Sequence, residues 1–208
     1  MAVKLNLLAD IPADSPVVAR AVFADRLDDA PVPAGVLSAL AFEGKADQLQ
    51  VVPVDGGVVV LVGLGELAGV RPAGLRKAGA QLTRALKKFP TAVVTVPADL
   101  AAARGGTDGD GQVAAGEIQA LTEGLLLAGY EYTDHRSEPS KTALATIDLV
   151  VASDEARAGA ERGRVLAEAV FVVRDLVNEP GGSLTPRRLA RTAATLGKAN
   201  GFDVTRGQ

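Results

Sequence analysis

Val58-Val59-Val60-Leu61-Val62, followed at once by Gly63-Leu64-Gly65-Glu66, is the stretch on which the fold turns. A strand with one face in water alternates apolar and polar residues, because successive side chains point to opposite faces. This run does not alternate. It reads as a strand covered on both faces, as in a sheet held between helices. Four more short, β-branched runs surround it at 17–23, 49–54, 91–96 and 146–152, each bounded by Gly, Pro or charged residues.

Helical spacing fills the intervals. Leu75, Leu82 and Leu86 share one face over about 71–88, and Ile118, Leu121 and Leu125 share one over about 114–128. A longer helix is predicted over about 155–177, with Leu166, Val170, Val173 and Val177 on one stripe. At about 1.5 Å per residue it extends beyond about 30 Å, enough to cross a domain or join two. Strands come first and then alternate with helices, so the fold class is α/β, a mixed sheet flanked by helices. Residues 101–111 form the most loop-like segment, and no internal repeat is present.

The tail reads separately. Asn178-Glu179-Pro180-Gly181-Gly182-Ser183 stops the long helix. Thr185-Pro186 starts another, with Thr as N-cap and Pro at the first helical position. Leu189, Ala193 and Leu196 form its stripe, and Asn200-Gly201 end it. Phe202-Asp203-Val204-Thr205 resembles the start of a strand. Residues 1–178 are therefore read as one domain with its connecting helix, and 179–208 as the opening of an incomplete second one.

Composition narrows the chemistry. At 208 residues, 48% hydrophobic and 23% charged, the chain is globular rather than disordered or collagenous. Aromatics make up 3% and Trp is absent, so a Val, Leu and Ala core is expected, without stacking platforms for single-stranded nucleic acid. The absence of Cys excludes disulfides, thiolate zinc sites, Cys nucleophiles and iron–sulfur ligation. The one histidine, His135, cannot make a two-His metal site and reads as a surface-turn residue. Ser137, Ser140 and Ser183 lie in no nucleophile-elbow context. No run is long and apolar enough for a transmembrane helix, and the N-terminus lacks a signal-peptide layout, so a cytoplasmic location is expected.

Two motifs have competing readings. Gly63-Leu64-Gly65-Glu66-Leu67-Ala68 fits GxGxxA, but a dinucleotide site needs an acid about 20 residues on, and no Asp or Glu occurs from 69 to 98. A tight strand exit is the plainer reading. Asp108-Gly109-Asp110-Gly111, with Glu117, resembles part of a calcium loop, yet its first ligand position would be Gly106. A polar loop before a helix explains the same letters. Charge is uneven: 71–98 carries Arg71, Arg76, Lys77, Arg84, Lys87 and Lys88 with no acid, while the flanking segments are acidic and the whole chain sums to −3. This block reads as a solvated helix face or as an anion or DNA patch.

Val173-Arg174-Asp175-Leu176-Val177-Asn178-Glu179-Pro180, followed by Leu184-Thr185-Pro186, resembles the interdomain signature of cytosolic leucyl aminopeptidases. Val62-Gly63-Leu64-Gly65-Glu66 is similar to that family's strand exit. Glu123-Gly124-Leu125-Leu126-Leu127-Ala128-Gly129-Tyr130-Glu131-Tyr132 is similar to its helix leading into a Tyr-containing turn. Gly182 departs from the family's usual Asn.

The resemblance implies a macro-domain-like N-terminal domain joined by a long linker helix to a catalytic domain. In that family the two divalent metals (Zn²⁺ or Mn²⁺), the catalytic Lys and Arg and a bicarbonate site belong to the catalytic domain. The Asn-Thr-Asp-Ala-Glu-Gly-Arg and Lys-Gly-Ile-Thr-Phe-Asp motifs do not occur here. No catalytic, cofactor-binding or metal residue is therefore carried onto this chain. The implied role is structural: packing against the catalytic domain, with a homohexamer as the assembly. Exposed apolar side chains on the long helix and at Leu189 and Leu196 would mark that partner. Two alternatives remain open at this point: a nucleotide or ADP-ribose binder, and a DNA-binding accessory domain using 71–88. No membrane partner is expected.

Overall fold

In the computed structural model the chain is described at residues 3–97, 100, 112–134 and 142–205. Six strands form one sheet: β1 (Lys4–Leu8), β2 (Val17–Val22), β3 (Leu49–Val54), β4 (Gly57–Gly63), β5 (Thr91–Thr95) and β6 (Thr146–Val150), in spatial order β1-β6-β5-β2-β4-β3. All neighbours pair in parallel except β3, which runs antiparallel to β4 through the Asp55-Gly56 turn. Pro53 is tolerated because β3 is an edge strand, where a missing N–H can face away from the ladder.

β4 explains its own sequence. Val60 and Val62 enter the main core, while Val59 and Leu61 enter a second cluster on the opposite face with Val22, Val32, Leu37, Phe42 and Val52. With both faces dry, no position on the strand favours a polar residue. The short helix α1 (Ala34–Ala39) supplies Leu37 to this second cluster. The sequence reading has no helix there and no strand at β1. β1 alternates over Lys4-Leu5-Asn6-Leu7, and Asn6, at mid-strand, donates to Asp148 of β6 at 2.7 Å.

The main core lies under α2 (Pro72–Leu86) and α3 (Gln112–Ala128). These helices touch backbone to backbone. A Cβ on Gly79 would stand 2.5 Å from the Leu121 oxygen, and one on Gly124 would stand 2.0 Å from the Arg76 oxygen. Thr83, fully buried, donates from Oγ1 to the Leu125 carbonyl at 2.8 Å across the same seam.

Two compact units divide the chain, Met1–Glu168 and Ala169–Gln208, and the division falls inside α4 (Asp154–Asn178). Ser153 caps α4, accepting from the Ala156 N–H at 3.1 Å. In the first unit the buried face of α4 is made of small residues: Gly159, Ala160, Gly163 and Ala167. A Cβ on Gly159 would meet the Ala115 oxygen at 2.2 Å, so α4 rests directly on α3. The stripe read from the sequence points elsewhere: Leu166, Val170, Val173 and Val177 are all exposed, Val177 by 78%. Arg164 lies between Glu161 and Glu168, whose hydrogen bonds push its guanidinium pKa up.

The second unit contains the end of α4 and α5 (Pro186–Asn200). Thr185 Oγ1 accepts from the Arg188 N–H at 3.3 Å, and Gly201 closes the helix at φ +76°. Arg188 forks onto Glu179, with Nη2 2.8 Å from Oε1. Leu189 is 46% exposed, whereas Leu196 is half-buried. Residues 202–205 form no strand, contrary to the sequence reading: no neighbouring strand pairs with them, and the Phe202 N–H returns to the Gly197 carbonyl at 3.0 Å.

Candidate functional site

The winding of the sheet reverses between β2 and β5. After β2 the chain passes to β3 and β4 on one side; after β5 it passes to β6 on the other. Open α/β sheets bind ligands outside the carboxyl ends of their strands at such a reversal. A crevice of about 460 Å³ lies at that edge. It is lined by residues 9–11 after β1, 95–97 at the end of β5 and 150–153 at the end of β6, with Arg20 of β2 and Ile118 of α3.

Most of the lining is apolar. The exceptions are Arg20, Thr95, Asp10 and Ser153. Arg20 and Thr95 are register partners on adjacent parallel strands, so their side chains leave the same face of the sheet. Thr95 is 6% exposed, and its Oγ1 has no hydrogen-bond partner among the described residues. Among the described residues the half-buried Arg20 has neither a hydrogen-bond nor an ion-pair partner. Neither residue stands out in the sequence, because the register that unites them is not a local property.

The glycine-rich strand exit behaves as a packed turn. Gly65 adopts φ +77°, and a Cβ on Gly63 would lie 2.0 Å from the Lys45 oxygen. Its amides are spent internally: Gly63 donates to Gln48, Leu64 to Val22 and Gly65 to Gly44, at 2.8 to 2.9 Å. No nest of free N–H groups is left there to cradle a phosphate.

The basic helix is largely neutralised. Arg76 pairs with Glu123 at 2.6 Å, Lys77 with Asp47 at 2.6 Å and Lys87 with Glu131 at 3.4 Å. Arg71 donates to the carbonyls of Ala68 and Val70. Arg84 and Lys88 are left as exposed cations on α2 and just beyond it, too few for a phosphate-tracking stripe.

His135, Ser137, Ser140, Asp108 and Asp110 lie outside the described residues. Glu117 is buried on α3. Among the described residues no group of three or more His, Cys, Asp or Glu could hold a metal ion, so no metal-dependent step is assigned to them. Also among them, no helix is long and apolar enough to cross a membrane.

These features define an α/β domain with a helix-covered mixed sheet. Residues 24–139 match the model of the cytosol aminopeptidase family, N-terminal domain, and the chain belongs to that family. It is 33% identical to a probable cytosol aminopeptidase of Mycobacterium leprae over 81% of its own length and 32% of the relative's. It thus spans about a third of that relative. Bottromycin maturation enzyme BotP in complex with Mn superposes with a TM-score of 0.70 at 31% identity, over 90% of this chain and 37% of BotP. A mutant of tomato leucine aminopeptidase shares the fold, with a TM-score of 0.71 at 20% identity over 96% of this chain and 43% of that one.

Proposed function

We propose that this chain acts as the non-catalytic N-terminal domain of a leucyl aminopeptidase-like metallo-exopeptidase, with residues 1–178 as a macro-domain-like unit plus linker helix and 179–208 as the entry to the catalytic domain. The family match over 24–139 carries the reading. The exposed Val173, Val177 and Leu189 support it, since bare apolar side chains at this density mark a surface meant to be covered. The partner would be the catalytic domain of the same protein, and the assembly a homohexamer.

The two divalent ions, Mn²⁺ or Zn²⁺, would be held in that catalytic domain, where they would polarise the peptide carbonyl and activate water. Mn in the BotP structure favours manganese. The relatives' names support a cytosolic location. The nucleotide and DNA alternatives are not favoured, given the internally bonded amides of Gly63, Leu64 and Gly65 and the paired cations of α2.

The test is an assay of this 208-residue chain on leucine p-nitroanilide with Mn²⁺. No release above blank is expected, and clear turnover would overturn the assignment.

A further inference from the structure

We propose that the crevice at the carboxyl edge of the sheet is a binding site for a small organic monocarboxylate with an apolar body, its carboxylate held by Arg20 and Thr95. Three observations converge. The crevice sits at the reversal of strand order and holds about 460 Å³, within the range of small-ligand pockets. Thr95 is 94% buried and its hydroxyl has no hydrogen-bond partner among the described residues, whereas a buried hydroxyl is normally satisfied. Arg20, its register partner on β2, brings a half-buried guanidinium with no counter-ion among the described residues. A guanidinium binds a carboxylate through two parallel N–H bonds, and the Thr95 O–H can donate to the same group.

The charge balance selects one negative charge over several. Arg20 is the only cation among the described lining residues, and Asp10 stands at the rim. Asp154 and Glu155 open α4 directly after Ser153. A di- or polyphosphate would meet these acids with a single arginine to offset them. The remaining walls, among them Ile11, Val96, Leu100, Ile118 and Val150, offer hydrocarbon to the ligand body.

An amide-resolved NMR titration of the 208-residue chain tests this, with phenylacetate as probe and phenethyl alcohol as its uncharged match. Saturable shifts are expected at Val96, Val151 and Ala152 with phenylacetate, and markedly weaker binding of the alcohol. Arg20→Gln should weaken phenylacetate about tenfold and leave the alcohol unchanged. Thr95→Val, which keeps the shape, should weaken phenylacetate about threefold and serves if the Arg20 variant does not fold. The proposal fails if phenylacetate does not saturate below about 10 mM, if the two probes bind equally, or if the shifts map elsewhere. Tighter binding of pyrophosphate at the same amides would also overturn it. The peptidase assay is indifferent to all of these outcomes.

Discussion

Nε and Nη2 of Arg76 both reach Oε2 of Glu123, at 2.7 and 2.6 Å, and the next residue, Gly124, lies against the Arg76 carbonyl. One residue of α2 is thus gripped by two consecutive residues of α3, through its side chain and through its backbone. The Glu123 side chain is only 10% exposed, so the pair is mostly dry on the acid's side.

Removing the arginine should cost more than removing both charges. Arg76→Ala leaves a buried carboxylate unpaired and is expected to lower stability by about 1–3 kcal/mol, discounted for the half-open guanidinium. Arg76→Ala combined with Glu123→Gln should recover part of that. Urea unfolding of the four members of the cycle measures the coupling, and strict additivity would contradict the arrangement.

Gly124→Ala puts a methyl 2.0 Å from the Arg76 oxygen, where backbone must move. A loss of about 1–3 kcal/mol is expected, as for other overpacked sites. Gly116→Ala on the same helix meets nothing within 4 Å and should instead stabilise by about 0.5–1 kcal/mol. Opposite signs in matched denaturant melts are the signature; equal effects would place the seam elsewhere.

Gln48 holds the loop that wraps the glycine exit. Its Oε1 accepts from the Glu43 and Lys45 amides at 2.9 and 3.1 Å, and its Nε2 donates to the Ala41 carbonyl. Gln48→Ala should speed hydrogen exchange at those two amides about tenfold or more, with little change across the sheet. Unchanged protection would mean that the loop is held by other contacts.

Val173→Asp tests the uncovered surface. Val173 is 58% exposed, so the stability of this chain should change by no more than about 0.5 kcal/mol. Its effect is expected in association: the variant should lose co-elution with a separately supplied catalytic domain of a family relative. Retained co-elution would move the docking face off α4.

The sequence and the structure agree where one residue type has one meaning. β4 is legible because Val59 and Leu61, as well as Val60 and Val62, are apolar, and only a doubly covered strand uses such a run. Thr185-Pro186 and Gly201 mark the ends of α5 for equally local reasons. The face of α4 packed in the first unit is illegible because it is built from Gly159, Ala160, Gly163 and Ala167, which carry no hydrophobic signal, while the bulky valines face out. The crevice is hidden for a different reason. Arg20 and Thr95 are 75 positions apart and meet only through strand register. The interdomain signature was readable as a string, but the role of Glu179 as the counter-ion of Arg188 needed the turn between α4 and α5.

β1 pairs with β6 alone, and the Asn6–Asp148 bond closes a separation of 142 positions. On a ribosome adding about 5–20 residues per second, that partner arrives about 7–30 s after β1 itself. Throughout that interval Leu5, Leu7 and Leu8 belong to a strand with nothing to pair with. The β1–β6 ladder therefore spans the largest sequence separation in the sheet, and of the described strands β1 waits longest for its partner during synthesis.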